Sequence, residues 1–308
     1  MELRQLRYFL AVAEEMNFSR AAEQLQMAQP PLSRQIHQLE LELGVELFHR
    51  TKRQIQLTEI GKVFLAEAHQ ILKRVDQGLE TVERANRGEI GQLVVGFEGS
   101  STYDVIPVSL KVYRERFPDV DLAVYAMTTE EQFQALLDGR IQVGFMVSPL
   151  KNKHLTIEPI LREPLVLALS ESHPLATQNQ VRVRDLESES FIMFQRHRGC
   201  GLYDSAIAIC RRAGFSPRVI QEADEMQVIL GFVAAELGVA LLSASVQQFQ
   251  RPSVTYRALL PATPKVVLAL AWQHTNQSPV LQAFIQVVKE YVTLAEGAKS
   301  GCVAKTGE

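Results

Sequence analysis

The chain has 308 residues, which at about 100–200 residues per domain corresponds to two or three domains. Its 32 basic and 35 acidic residues give a formal net charge of −3, so any nucleic-acid-binding surface must be a local patch. A hydrophobic content of 46% excludes a disordered chain, and three cysteines exclude a disulfide framework. No apolar run reaches the roughly 18 residues of a membrane span, and acidic residues interrupt the N-terminal apolar pattern. We therefore expect a cytoplasmic protein with no signal peptide and no membrane partner.

Three short helices are predicted at the start of the chain. The first has its apolar residues on one face, and Ser19 is predicted to cap the second, with Glu23 near the capping-box position. The third begins at Gln29 and carries two prolines in its first turn, where their missing N–H groups need no partner. Gly44 is predicted to end this helix.

The order of these elements favours DNA binding. A short turn followed by a proline-led helix is typical of a helix that enters the major groove. Its first polar side chains would reach base edges, since Gln pairs with adenine and Arg with guanine. The basic hairpin that follows would lie along the phosphates as a wing. The predicted DNA-contacting residues are Ser19, Gln29, Pro31, Ser33, Arg34, Arg50, Lys52 and Arg53. The alternative is a generic three-helix domain with solvated charges.

Thr58 is predicted to cap a long helix that carries an apolar stripe. One small domain cannot bury such a stripe, so it predicts a dimerisation seam. The members of the stripe are Phe64, Ala68, Ile71, Val75, Leu79 and Val82. Gly88 and Gly91 mark the next boundary, which gives a DNA-binding domain at 1–58 and a linker helix at 59–90.

From residue 92 onward, short apolar strands alternate with helices, which is the pattern of an α/β domain. The predicted strands are 93–97, 121–125, 142–145, 165–169, 191–194, 218–220, 239–242 and 266–272. The predicted helices are 105–117, 130–137, 203–213, 226–237 and 279–294. The sequence thus predicts an α+β multidomain protein whose last domain spans 91–294. Residues 295–308 are small and polar and are predicted to be disordered.

Several segments together carry a resemblance to a known family. They are LRQLRYF (3–9), FSRAA (18–22), QPPLSRQI (29–36), LE (39–40), LG (43–44), LFHR (47–50) and LTEIG (57–61). These segments resemble the N-terminal domain of LysR-type transcriptional regulators, and the likeness continues to about residue 294. The resemblance implies a winged helix-turn-helix, a linker helix and a two-lobed α/β effector domain similar to periplasmic binding proteins. It also implies dimers formed through the linker helices and, commonly, tetramers. By resemblance, the DNA-contacting roles fall to Gln29, Pro30, Ser33, Arg34 and Arg53.

Within the family, the second half looks similar to regulators of aromatic catabolism that respond to muconate or related small acids. The segments that carry this likeness are GFEGS (96–100), GRIQVGF (139–145), SHPL (172–175) and VILGFVAA (228–235). The resemblance places one lobe at about 91–161 and 267–294 and the other at about 162–266. An arginine suited to a carboxylate can follow the GF pair in such regulators, whereas Met146, Val147 and Ser148 follow it here.

A ligand site is also expected from the residues themselves. Two lobes leave a cleft at their strand ends, where helix N-termini with hydroxyls and free N–H groups favour an anion. A plain capping box at Thr128 is the alternative for that segment. In the second lobe, Arg196 and Arg198 could supply positive charge, and Gly199 and Gly201 could let the backbone approach the ligand closely. The alternative for this segment is solvated surface. The predicted effector-binding residues are Ser100, Ser101, Thr128, Thr129, Arg198, Gly199, Cys200 and Gly201.

Cys200 and Cys210 raise the alternative of redox sensing. Cys200 is predicted at a helix N-terminus beside Arg196 and Arg198, which would lower the pKa of its thiol, and peroxide-sensing members of the family use a cysteine pair in this region. A helix of about ten residues separates the pair, so a disulfide would require that helix to unwind. The histidines show no metal-ligand spacing, so we expect no metal, no cofactor and no enzymatic activity.

The leading interpretation is a sequence-specific transcriptional regulator controlled by a small anionic metabolite bound between the lobes. Its expected partners are promoter DNA with inverted half-sites, the effector, further copies of the chain in a dimer or tetramer, and RNA polymerase. Two alternatives are a redox-responsive regulator using Cys200 and a cytoplasmic solute-binding protein or enzyme. The basic wing discriminates against the second alternative, because assembly alone does not need it.

Overall fold

The computed structural model describes residues 1–50, 55–98, 105–148, 152–196 and 200–303. The chain divides into two compact units, Met1–Arg84 and Ala85–Glu308. The first unit contains helices α1 (Leu3–Glu15), α2 (Phe18–Gln24) and α3 (Gln29–Leu43), strands β1 (Phe48–Arg50) and β2 (Ile55–Leu57), and most of the long helix α4 (Glu59–Asn86). The last two residues of α4 belong to the second unit. The two strands form an antiparallel hairpin.

Aromatic rings form the centre of the first unit's core. The ring of Phe9 on α1 packs against Phe48 of the hairpin at 5.4 Å and against Phe64 of α4 at 4.9 Å, both measured between ring centroids. Edge-to-face and tilted aromatic contacts of this kind add to the stabilisation from buried area. The three helices, the hairpin and the start of α4 therefore share one core.

The ends of these helices follow local capping rules, with one correction. Asn17, and not Ser19, caps α2, because the Asn17 side chain accepts hydrogen bonds from the backbone N–H groups of Ser19 and Arg20. The predicted stop of α3 is confirmed, since Gly44 adopts a left-handed φ of 72° after its last residue. The predicted cap at Thr58 is confirmed by its hydroxyl, which accepts from the N–H of Gly61 at 2.8 Å.

The second unit begins with a lobe built on a five-stranded sheet of order β4-β3-β5-β13-β6. Its strands are β3 (Gly91–Phe97), β4 (Val120–Ala126), β5 (Val143–Ser148), β6 (Leu155–Glu163) and β13 (Val266–Gln273). Helices α5 (Val105–Arg116), α6 (Thr129–Leu137) and α9 (Pro279–Val303) complete this lobe. Because β3, β4 and β5 are parallel, their carboxyl ends meet at one edge of the sheet, which we call the carboxyl edge.

The second lobe contains the remaining strands and two helices. Its strands are β7 (Leu165–Ser170), β8 (Gln180–Arg182), β9 (Ser190–Phe194), β10 (Arg218–Ala223), β11 (Ala240–Ser243) and β12 (Val254–Leu260), and its helices are α7 (Cys200–Arg212) and α8 (Met226–Ala234). In the described part of the chain, these strands form a four-stranded sheet, β11-β7-β12-β8, and a parallel pair, β9 and β10.

Three strands and the end of the chain differ from the sequence prediction. β6, β8 and β12 had no predicted counterpart, and β6 contains Pro159 at the outer edge of its sheet, where a missing N–H is tolerated. The prediction of a disordered segment from residue 295 is wrong as far as Val303, because α9 continues that far. Residues 304–308 lie outside the described residues.

Candidate DNA-binding surface and effector site

Helix α3 has one buried face and one exposed polar face. Leu32, Ile36 and Leu39 are fully buried in the core of the first unit. Arg34 and His37 lie on the opposite face, one turn apart, and both are exposed. Of the predicted contact residues that the structure describes, Ser19, Gln29, Pro30, Arg34 and Arg50 are exposed, whereas Pro31 and Ser33 are half-buried.

His37 was missed in the sequence analysis, although a signal for it was present. It follows Arg34 by three residues, and this spacing places two side chains on the same helical face. An imidazole can donate to or accept from a base edge or a phosphate. The exposed face of α3 therefore extends one turn further than the sequence analysis proposed.

Arg50 has a second role that the sequence did not reveal. Its Nη2 lies 2.7 Å from Oε2 of the buried Glu40 on α3, and its guanidinium carbon lies 5.3 Å from the ring centroid of Phe18. The other carboxylate oxygen of Glu40 accepts from the backbone N–H groups of Leu47 and Phe48 at 2.9 and 3.2 Å. Charge-assisted hydrogen bonds of this kind are strong, so Glu40 fixes the hairpin on α3. Lys52 and Arg53 lie outside the described residues.

The predicted dimerisation stripe on α4 divides into two halves. Ala68 is fully buried, so the prediction that it contacts a partner is corrected. Phe64 and Ile71 are half-buried against the same core, and their contact with a partner stays a prediction. Their own unit contributes to this burial, since the ring of Phe64 packs against Phe9. Further along α4, Val75 is half-buried, whereas Leu79 and Val82 are 59% and 68% exposed.

The two lobes of the second unit meet where β5 ends. Val147 on β5 belongs to the first-lobe sheet, yet its side chain is buried in the hydrophobic core of the second lobe. Gly201 in the first turn of α7 packs so closely that a Cβ built on it would lie 2.6 Å from Cγ1 of Val147. The carboxyl edge of the first lobe therefore touches the N-terminus of a second-lobe helix.

Glu98 lies at this carboxyl edge, directly after β3. Its Oε2 accepts a hydrogen bond of 2.5 Å from the Thr129 hydroxyl at the start of α6, and its carboxylate also accepts from the backbone N–H of Val147. Burial raises the pKa of the Glu98 carboxyl above its usual value, and these two hydrogen bonds oppose that shift. Glu98 was not among the site residues predicted from the sequence, although it is an acid at the end of a predicted buried strand.

The hydroxyls of Thr128 and Thr129 are both engaged with carboxylates of the protein. Thr128 forms a capping box with Glu131, in which the Thr128 N–H donates to Glu131 Oε2 at 2.8 Å and the Glu131 N–H donates to the Thr128 hydroxyl at 3.3 Å. Thr129 donates to Glu98. Both hydroxyls therefore already have partners within the protein, and their predicted binding of an anionic effector stays a prediction.

The other predicted effector residues are described only in part. Ser100, Ser101, Arg198 and Gly199 lie outside the described residues, and Cys200 is the first residue of α7. A ten-residue separation along a helix corresponds to about 15 Å, which is far beyond the Cα spacing of a disulfide. Formation of a Cys200–Cys210 disulfide would therefore require α7 to unwind.

The described residues contain neither a metal-binding cluster nor a membrane-spanning helix. Within residues 1–50, 55–98, 105–148, 152–196 and 200–303, no three His, Cys, Asp or Glu residues cluster closely enough to hold a metal ion. Over the same ranges, no helix is long and apolar enough to cross a membrane.

Two family models match the chain. Residues 3–62 match the bacterial regulatory helix-turn-helix protein of the lysR family, and residues 86–293 match the LysR substrate binding domain. The transcriptional regulator AlsR of Bacillus subtilis (strain 168) is 39% identical over 287 residues, which cover 93% of this chain and 95% of AlsR. CatR of Pseudomonas putida is 35% identical over 290 residues, which cover 94% of this chain and 99% of CatR.

A solved structure shows the same architecture. Full-length CbnR complexed with its target DNA matches with a TM-score of 0.81 and 30% identity, over 95% of this chain and 100% of CbnR. A winged helix-turn-helix followed by two α/β lobes defines a DNA-binding transcriptional regulator with an effector-binding domain. The chain belongs to the LysR family of transcriptional regulators. This confirms the resemblance, the fold class and the regulatory function predicted from the sequence.

The environment of Cys210 predicts an unreactive thiol. It is buried in the second-lobe core, and burial raises the pKa of its thiol to about 11. We expect Cys210 to resist iodoacetamide in the native protein at pH 8 and to react after denaturation. Peptide mass spectrometry would separate it from the other cysteines. Rapid native alkylation of Cys210 would contradict this burial and would revive the redox interpretation.

Proposed function

We propose that the chain binds promoter DNA as a dimer, with one α3 helix in the major groove of each inverted half-site. The observation that carries this proposal is the exposed face of α3, where Arg34 and His37 lie opposite the buried Leu32 and Ile36. Arginine is well suited to a base edge because it can donate two hydrogen bonds to guanine. The DNA complex of CbnR, which shares the fold, supports this use of the first unit.

We further propose that a small metabolite binds between the two lobes and changes DNA binding. The support is the junction at Val147 and Gly201, where the carboxyl edge of one lobe meets a helix N-terminus of the other. A ligand that touches both lobes would favour one interlobe geometry over others. Ligands of two-lobed α/β domains commonly bind at such strand ends.

The proposal extends to assembly and cellular setting. Dimers would form through the C-terminal half of α4, where Leu79 and Val82 are exposed, and two dimers would pair into a tetramer. The regulator would act in the cytoplasm, contact RNA polymerase at the promoter and carry no catalytic activity of its own, in keeping with a family of transcriptional regulators.

The proposed contact of Arg34 with a base edge predicts a loss of sequence specificity when this side chain is truncated. Arg34→Ala should weaken binding to the protein's own promoter about tenfold or more, since a good base contact is worth about 1–3 kcal/mol. Binding to unrelated DNA should weaken much less. Gel-shift titrations at several salt concentrations measure both affinities.

Arg140→Ala is the matched control, because it removes one exposed positive charge from the second unit. Its affinity for the promoter should stay within a factor of two of wild type. An equal loss on promoter and unrelated DNA with Arg34→Ala would assign this side chain to a phosphate instead of a base.

The proposed dimer seam on α4 predicts that charged side chains at Leu79 and Val82 release monomers. Leu79→Glu with Val82→Glu would place two carboxylates in the proposed seam, where their burial without a partner is costly. Analytical ultracentrifugation should show a smaller species than wild type. Promoter affinity should fall as well, because a dimer gains effective concentration at its second half-site.

Gln77→Glu with Thr81→Glu adds the same two charges to the opposite face of α4, where both side chains are exposed. This control should sediment like wild type. If Leu79→Glu with Val82→Glu also sediments like wild type, α4 is not the seam and the dimer forms elsewhere.

A further inference from the structure

We propose that a polar cavity within the second lobe binds a small α-amino acid, with the ammonium group on two carboxylates of the protein and the carboxylate on a guanidinium. The cavity has a volume of about 280 Å³. The polar side chains of its wall that the proposal uses are Ser172, His173, Glu189, Ser190, Arg218 and Glu236. This site is independent of the proposed effector between the lobes.

The cavity lies away from the junction of the two lobes. Ser190 and Arg218 are the first residues of the parallel strands β9 and β10. Helix α7, which touches the first lobe through Gly201, follows the opposite end of β9. The other walls come from the turn after β7 and from the segment between α8 and β11. A ligand in this cavity would therefore join the two sheets of the second lobe.

Two carboxylates of the wall have oxygens to offer to an ammonium group. Oε1 of Glu236 accepts from the Ser172 hydroxyl at 2.5 Å, and Oε2 of Glu189 lies 3.4 Å from Nε2 of His173. Nδ1 of His173 accepts from the Leu175 N–H at 3.2 Å, so the proton on Nε2 faces Glu189. Within the described part of the chain, the second oxygen of each carboxylate has no hydrogen-bond partner. Both oxygens can therefore accept from a ligand.

The guanidinium of Arg218 supplies the opposite charge. Its Nη2 donates to the Ser190 hydroxyl at 2.6 Å, which orients the group at the start of β9. Across the residues that the structure describes, no acidic side chain forms an ion pair with Arg218. A guanidinium can donate two parallel hydrogen bonds to one carboxylate. Its remaining N–H groups therefore suit the carboxylate of a ligand.

The mixture of charges favours a zwitterion over a simple ion. Glu189 and Glu236 would repel a ligand that carries only a carboxylate. A ligand that carries only an amine would leave Arg218 without a partner. An α-amino acid satisfies both sides, because its ammonium group has three donors and its carboxylate accepts from the guanidinium.

The backbone around Glu236 supports a role for its carboxylate. Glu236 follows α8 with a left-handed φ of 61°, a conformation that favours glycine after a helix. Two residues later, a Cβ built on Gly238 would lie 2.4 Å from the backbone oxygen of Ser190. This segment therefore packs closely on the start of β9, and it holds a glutamate on the cavity wall at a conformational cost.

The test compares L-alanine with two analogues that each lack one of its charged groups, propionate and ethylamine. Affinities for the full-length protein are measured by saturation-transfer NMR at pH 7.5 and millimolar probe concentrations. The buffer has low ionic strength, because salt screens exposed charges. Wild type should bind alanine about tenfold more tightly than either analogue, since each analogue loses a set of charge-assisted hydrogen bonds.

Three variants place the binding in this cavity. Each of Glu189→Gln, Glu236→Gln and Arg218→Gln removes one charge and should weaken alanine binding about fivefold. Glu187→Gln and Arg211→Gln are the matched controls, because both remove an exposed charge of the second lobe that does not line the cavity. Both controls should bind alanine like wild type.

Several results would overturn this site. They are the absence of alanine binding to wild type, an equal affinity of wild type for alanine and either analogue, and an unchanged alanine affinity in the three cavity variants, which would place the amino acid elsewhere. An equal loss of affinity in the control variants would also overturn it, because the effect would then come from net charge alone. Should one cavity variant fail to fold, the other two decide.

Discussion

The contact between Val147 and Gly201 is the constraint on which the effector-binding unit depends. Strand β5 is hydrogen-bonded within the first-lobe sheet, yet it places Val147 in the core of the second lobe. Gly201 lacks a Cβ, and this allows the first turn of α7 to approach that side chain. The two lobes thus share a tightly packed junction at the carboxyl edge, where Glu98 and Thr129 also meet. Because packed interfaces respond to small changes in discrete steps, the proposed ligand between the lobes would select one interlobe geometry.

The DNA-binding unit depends on a buried carboxylate in a similar way. Glu40 accepts hydrogen bonds from the backbone N–H groups of Leu47 and Phe48 and pairs with Arg50. These contacts hold α3 and the hairpin in one arrangement. Arg50, which was predicted to contact phosphate, therefore also has a structural partner in Glu40. Loss of Arg50 would leave the buried Glu40 carboxylate without its charged partner, and that is more damaging than the absence of the pair as a whole.

The sequence predicted those helix ends that depend on residues a few positions away. The start of α3 at its prolines and its stop at Gly44 follow from backbone preferences, and the structure confirms both. The cap of α2 was assigned to the wrong neighbour, because Asn17 and Ser19 are equally good capping residues and the spacing does not decide between them. The partner of Thr129 could not be predicted, since Glu98 lies 31 residues away and meets it only in the folded sheet. The anion expected at that position stays a prediction.

The central claim is that the interlobe junction controls DNA binding, and Gly201→Ala tests it most directly. The added methyl group would lie 2.6 Å from Val147 unless the junction shifts, whereas Gly231→Ala in α8 meets its nearest neighbour at an ordinary 3.7 Å. The measurement is the DNase I footprint of each full-length protein on its own promoter without added effector. Gly201→Ala should alter the extent or the affinity of the footprint, and Gly231→Ala should leave both unchanged. A wild-type footprint from a folded Gly201→Ala protein would contradict the claim.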